Sequence, residues 1–88
     1  MITHNTARHR FELTRDGLTA YVEYLPTPDG MNLIHTIVPV ALEGQGIGSS
    51  LARYALDYAR AENRKVVPSC SFIRRFIGKH PEYADLTE

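Results

Sequence analysis

Val38-Pro39-Val40-Ala41-Leu42-Glu43-Gly44-Gln45-Gly46-Ile47-Gly48-Ser49-Ser50-Leu51 joins two segments of different hydrophobic period, and this junction decides the fold. Before it, apolar residues alternate as in a strand. After it, Ile47, Leu51, Ala55 and Tyr58 recur at helical spacing, flanked by Tyr54 and Leu56, with Arg53, Asp57 and Arg60 on the other side. A strand therefore leads into an amphipathic helix over about Gly46–Glu62, with Asn63 as its stop. Three alternating glycines, Gly44, Gly46 and Gly48, sit at the mouth of that helix. Without Cβ atoms the backbone turns sharply and lets a ligand approach closely. The N–H groups of a first helical turn then face that ligand, and the helix dipole favours negative charge there. A pyrophosphate fits such a place; a tight strand–helix joint with no ligand is the plainer reading. The spacing is neither Gly-x-Gly-x-x-Gly nor a P-loop, because no Gly-Lys-Ser/Thr follows, so NAD and ATP sites are disfavoured.

Upstream, Arg10–Thr14 alternates, Arg15-Asp16-Gly17 signals a tight turn, and Leu18–Leu25 alternates again. Pro26-Thr27-Pro28-Asp29-Gly30 is a second turn, followed by a strand over about Met31–Val38. Connections this short require antiparallel pairing, hence a three-strand meander. Downstream, Lys65-Val66-Val67-Pro68 is a short β-rich run. Strand, long helix and strand form a β-α-β unit, which predicts parallel pairing of the last two strands. Ser71 is the expected cap of a final helix over Phe72–Lys79, with Phe72, Ile73, Phe76 and Ile77 on its apolar face and Pro81 barring its extension. The expected order is β-β-β-α-β-α, an α/β fold.

At 88 residues the chain supports one core, so a single domain over residues 1–88 is expected. A hydrophobic share of 43% and a charged share of 23% are those of an ordinary globular protein. No apolar run approaches the roughly 20 residues of a membrane span. The first residues carry no apolar signal-peptide core, so no membrane partner and a cytoplasmic location are expected. The net charge of +0 produces no global field that would attract nucleic acid. Locally, Asn63–Pro81 carries Arg64, Lys65, Arg74, Arg75 and Lys79 and no acid. That run is either a solvated face or a partner for polyphosphate. No His/Cys/Asp/Glu cluster has metal-ligand spacing, so no metal is expected.

The glycine turn resembles the acetyl-CoA motif of the GNAT superfamily of N-acetyltransferases, Arg/Gln-x-x-Gly-x-Gly/Ala, which here reads Glu43-Gly44-Gln45-Gly46-Ile47-Gly48. Glu43 departs from the family's first position; the cradle works mainly through backbone N–H groups. Ile34–Pro39, Asn63–Ile73 and Lys79–Tyr83 are similar to the short, stand-alone YjdJ-type subgroup, and the resemblance extends over about residues 9–86. It implies a compact GNAT-like fold and transfer of acetyl from acetyl-CoA to an unidentified amine, small or protein-borne, without a metal. It further implies that the pantetheine arm lies beside the strand carrying Ile37 and Val38. The pyrophosphate would rest on Gly44, Gln45, Gly46, Ile47, Gly48 and Ser49. The basic final helix, with Arg74, Arg75 and Lys79, would meet the 3′-phosphate or the adenine end. Larger members place two helices between their first two strands, where this chain has only Arg15-Asp16-Gly17. The acceptor side should therefore be open. That suits catalysis on a protein tail, or a non-catalytic CoA-binding or protein-interaction module.

Two residues are candidates for the chemistry. His35 is expected on the same strand face as Leu33 and Ile37, either as a hydrogen-bonded core histidine or as a base for the attacking ammonium, since imidazole titrates near neutrality. Cys70, the one cysteine, precedes the final helix. It is either a small buried hydrophobe or a thiolate favoured by a helix N-terminus. At the ends of adjacent parallel strands the two would share one site. His80 is expected in a His-Pro turn, His4 and His9 near a frayed terminus, and Tyr83 packed back onto the domain.

Overall fold

Alternation in the first half of the chain produces four antiparallel strands rather than three, so the first two strands are joined by residues 6–9 and not, as expected, by Arg15-Asp16-Gly17. The computed structural model describes all 88 residues. Strands β1 (Ile2–Asn5), β2 (Arg10–Arg15), β3 (Leu18–Thr27) and β4 (Gly30–Ile37) are followed by a 3-10 turn (Val40–Leu42). Helix α1 (Ile47–Ala61), strand β5 (Lys65–Val67), helix α2 (Ser71–Lys79) and a 3-10 segment (Pro81–Thr87) complete the chain. The five strands lie in sequence order in one sheet. All neighbours are antiparallel except β4 and β5, whose parallel pairing follows from the α1 crossover.

The expectation of a frayed N-terminus is corrected by β1. His4 stacks on Phe11 with ring centroids 4.4 Å apart, meets Tyr58 edge-on at 4.7 Å, and places Nε2 2.6 Å from the Tyr24 hydroxyl oxygen. These contacts join β1 to β2, β3 and α1 at once. No periodicity within a four-residue strand announces them.

The period-2 rule sends Phe11, Leu13, Ala20, Val22, Tyr24, Met31 and Leu33 to one sheet face, all buried beneath the helices. The apposed face of α1 is largely small: Ala52, Ala55 and Ala59 lie between Leu51 and Leu56, all fully buried. The helix can thus approach closely while the sheet supplies the bulk. Burying each large side chain contributes about 1.5–3 kcal/mol. The 3-10 segment closes the far edge. Tyr83 is buried, its hydroxyl donates to Asp57 Oδ1 at 2.7 Å and accepts from Arg53 Nη1 at 3.1 Å. The opposite sheet face has no helix on it. It carries Arg10, Glu12, Thr14, Thr19, Tyr21, Glu23 and Leu25, half-buried or exposed. Arg10 lies over the Tyr21 ring at 3.9 Å.

A β-bulge in β4 breaks the alternation. Tyr24 pairs with Leu33 but Glu23 pairs with His35, so Ile34 has no partner. One extra residue inverts every later side chain. Thr36, opposite buried Val22, takes the helix side, while His35 and Ile37 turn to the uncovered face, where both are exposed. The expectation that His35 shares a face with Leu33 is thereby corrected.

Candidate functional site

The junction that decides the fold also builds the principal cavity. Gly44 and Gly46 have φ of 81° and 75°, the left-handed region where a Cβ is strained. Gly46 is the N-cap of α1, so no side chain caps the helix. From Gly44 through Ser49 no backbone N–H has a protein acceptor; the first amide of this run to be satisfied is that of Ser50, which bonds to the Gly46 carbonyl. Gly48 serves a different need. A Cβ there would stand 3.1 Å from Phe72 Cζ, so glycine lets α2 close against the first turn of α1.

These unsatisfied donors edge a groove of about 490 Å³, lined by Thr36, Ile37 and Val38 from β4 and by Gly44, Gly46, Gly48 and Ser49 from the turn, with Phe72 opposite. Pairing of β4 with β5 ends at Asn32–Val67, and beyond it β4 runs on to Ile37 as a strand with one free edge. Cys70 N–H still reaches back to the Leu33 carbonyl at 2.9 Å. The groove thus combines an open strand edge, an apolar wall and an anion-binding helix start. It suits an elongated ligand with an amide-bearing arm and a phosphate-bearing end. Of the residues expected around such a ligand, Ile37, Val38, Gly44, Gly46, Ile47, Gly48 and Ser49 line the groove. Gln45 does not line it; its side chain accepts a 2.6 Å hydrogen bond from Arg15 Nη1.

The basic residues of α2 divide. Arg75 and Lys79 line a second hollow of about 330 Å³ that shares Ser49 and Phe72 with the groove. Arg74 is turned away: its Nη1 donates to the carbonyls of Pro68 and Ser69 at 3.0 and 2.6 Å. It ties down the β5–α2 loop, so the expectation that it meets the ligand is not supported by its geometry. His80, also in the second hollow, stacks on Phe76 with centroids 4.1 Å apart.

Cys70, not Ser71, is the N-cap residue of α2. It is half-buried against the core, with Sγ 3.4 Å from Thr36 Oγ1. Burial pushes the thiol up, but the Thr36 hydroxyl and the backbone N–H groups near the start of α2 together outweigh it. The net direction is below the ordinary thiol range. Thr36, its partner, lines the groove. His35 does not join this site, because the bulge sends it to the other face of the sheet. No group of His, Cys, Asp or Glu residues is arranged to hold a metal ion. No helix is long and apolar enough to cross a membrane.

A mixed sheet whose last two strands stop pairing beside an uncapped glycine-rich helix start makes an α/β protein with an anion-accepting groove. The chain belongs to the GCN5-related N-acetyltransferase family, whose model matches residues 10–86. Protein NATD1 of Danio rerio is 29% identical over 90 residues, covering 96% of this chain and 81% of that protein. Protein NATD1 of Mus musculus is 29% identical over 83 residues, covering 91% of this chain and 76% of that one. A GCN5-like protein of Staphylococcus aureus, solved by NMR, superposes with a TM-score of 0.75 at 29% identity, covering 98% of this chain and 85% of the other.

Proposed function

We propose that the chain is an acetyl-CoA-dependent N-acetyltransferase working as one domain over residues 1–88, with an amine as acceptor. The observation that carries this reading is the continuity of the groove from the free edge of β4 to the unsatisfied N–H groups of Gly44–Ser49. The pyrophosphate rests on those N–H groups and the pantetheine arm lies along Thr36–Val38. The 3′-phosphate end reaches toward Arg75 and Lys79, and the thioester comes near Thr36 and Cys70.

The position of Cys70 beside Thr36 and its lowered thiol range support a part in the transfer. Its thiolate attacks the acetyl carbonyl carbon; a new S–C bond forms as the thioester C–S bond to the coenzyme breaks, and the coenzyme leaves as thiolate. A neutral amine then attacks acetyl-Cys70, the amide forms, the Cys70 thiolate is restored, and the amine's surplus proton passes to a base or to water. The amine approaches through the opening where β4 and β5 no longer pair, which the uncovered sheet face reaches. The exposure of His35 on that face supports a role toward the acceptor rather than toward Cys70. The same uncovered face supports the second reading, a CoA-binding module that a partner completes.

Melting with and without millimolar acetyl-CoA tests the binding. A ligand at 100 times its Kd raises stability by about 2.7 kcal/mol; an unchanged midpoint, with no heat on titration, would remove the proposal. Intact-protein mass spectrometry of wild type and Cys70→Ala then tests the chemistry. An acetyl adduct that is absent from Cys70→Ala and discharged by amines supports the covalent route. Full transfer by Cys70→Ala assigns direct attack on acetyl-CoA, and binding without any transfer assigns the module.

A further inference from the structure

The sheet carries helices on one face only, and charged groups on the other face are left without partners. Arg10, Glu23 and His35 stand in one row across β2, β3 and β4, since Arg10 pairs with Glu23 and Glu23 with His35 in register. Arg10 and Glu23 are thus directly opposite neighbours of opposite charge, an arrangement that favours a cross-strand ion pair. They form none: the two salt bridges of the chain are Arg53–Glu82 and Arg60–Asp85. The Arg10 guanidinium leans over the Tyr21 ring at 3.9 Å, and its Nε is buried without a hydrogen-bond partner. Glu23 beside it is half-buried. Asn32, between buried Met31 and Leu33, points to the same face, and its Oδ1 is the other buried side-chain atom left without a partner. Both orphans therefore lie on the one sheet surface that no element covers. An antiparallel sheet can leave a face in water, but a face meant for water alone has no reason to desolvate its polar atoms. Apolar area accompanies them: Leu25 is 52% exposed and Ile37 45%.

We infer that a second copy of this chain docks on the uncovered face, related to the first by a two-fold axis that runs along the strands between β2 and β3. A two-fold interface must be self-complementary, so that a residue meets a partner residue and is met by its equivalent in return. An unpaired arginine and an unpaired glutamate side by side on neighbouring strands meet that requirement. With the axis between their strands, Arg10 of each copy comes over Glu23 of the other. Two charge-assisted pairs then form from groups that have no partner within one chain. β2 of one copy lies over β3 of the other, and β1 lies over β4, with His35 at the rim of the contact. β5 has no counterpart, so Val67 and the opening beyond the β4–β5 ladder stay outside it. The other copy's β1 borders that opening, while the groove itself remains free. The size fits as well. The molecule measures 37 × 29 × 19 Å. Contact over about half of a broad face covers roughly 500 Å² per copy and 1,000 Å² in all, the lower range of specific interfaces. The dimer should accordingly be weak and concentration-dependent.

Sedimentation velocity of the full chain over a concentration series tests this without any coenzyme, so the result is independent of the acetyl-CoA reading. Wild type should pass from monomer to dimer with a Kd of roughly 10–100 µM, and added salt should weaken the association. Arg10→Glu and Glu23→Arg each place two like-charge contacts across the axis, and each should weaken self-association at least about tenfold. Their equimolar mixture should associate nearly as well as wild type. There the introduced acid of one chain meets the introduced base of the other, and one native pair is kept. Recovery in the mixture also shows that neither variant has unfolded, which circular dichroism checks for each alone. The milder Arg10→Gln and Glu23→Gln, which remove charge without adding repulsion, should shift the equilibrium in the same direction by less. A wild type still monomeric at about 1 mM overturns the inference and leaves the face to a different protein. A dimer indifferent to both reversals sits on another surface and overturns it too, as does a mixture that associates no better than the single variants.

Discussion

Replacing Gly30 by alanine should damage this protein more than any other single added methyl at a glycine. A Cβ at Gly30 would lie 1.8 Å from the Lys65 carbonyl oxygen and 2.6 Å from its carbonyl carbon and nitrogen. All three are backbone atoms, so no rotamer relieves the clash, and β5 must move by more than an ångström. That movement loosens the Lys65 N–H bond to the Asp29 carbonyl and the short parallel ladder Gly30–Lys65, Met31–Val66, Asn32–Val67. It also pulls Val66, 3% exposed, out of the core. Losing the valine's burial costs about 1.5–3 kcal/mol. Two or three backbone hydrogen bonds add about 1 kcal/mol each. The sum, about 4–6 kcal/mol, is a large part of the roughly 4–13 kcal/mol that a chain of this length commands. The matched control is Gly78→Ala in α2, where a Cβ meets nothing within 4 Å; helix propensity predicts a gain of about 0.5–1 kcal/mol there. Urea unfolding followed by circular dichroism measures both. Because β5 leads into Cys70, the Gly30 variant should also lose the thiol's protected environment, read as faster alkylation. A Gly30→Ala protein within about 1 kcal/mol of wild type would refute the account of how β4 and β5 are joined.

Other outcomes are equally specific. Gly46→Val should weaken acetyl-CoA binding far more than Ser50→Ala, because the branched side chain cannot hold the left-handed cap and intrudes on the cradle; equal affinities by calorimetry would place the phosphates elsewhere. Arg75→Ala with Lys79→Ala should weaken CoA more than dephospho-CoA, whereas Arg74→Ala should leave their ratio unchanged; the three titrations decide it. Tyr83→Phe should cost about 1.5 kcal/mol through loss of the Asp57 and Arg53 contacts, lowering the midpoint by about 6–12 °C in a thermal scan. His4 is held below its ordinary value of 6.5 by burial, then by the charges of Arg64 and His9. The unfolded chain therefore binds a proton that the folded one refuses. The stability present above pH 6.5 should be lost as pH falls from there toward the folded value, and His4→Gln should flatten that slope in chemical unfolding at stepped pH.

Much of the architecture is written locally. A change of period from two to about 3.6 at Gly44–Gly48 announces a strand–helix junction. The two tight turns force the antiparallel meander, and the β-α-β spacing forces parallel β5. Those features depend on residues within one or two turns of each other, and the anion cradle shares that property because it is made of consecutive backbone amides. The functional side chains do not. His35 reads as a neighbour of Leu33 because period-2 counting cannot see the unpaired residue at Ile34, which exists only once β3 is alongside. β1 is too short to show a pattern and is held by aromatic contacts with β2, β3 and α1. Gly30 looks like a turn glycine, yet its strictest requirement is the passage of Lys65 beside it. Arg74 reads as a ligand cation until its own loop's carbonyls claim it, and Arg15 reads as turn punctuation until α1 brings Gln45 within reach. The physical reason is common to all of them. Periodicity and turn chemistry act over a few bonds and survive in the linear chain, whereas register shifts, close backbone approaches and the destinations of long charged side chains are settled by segments that meet only after the sheet and helices pack.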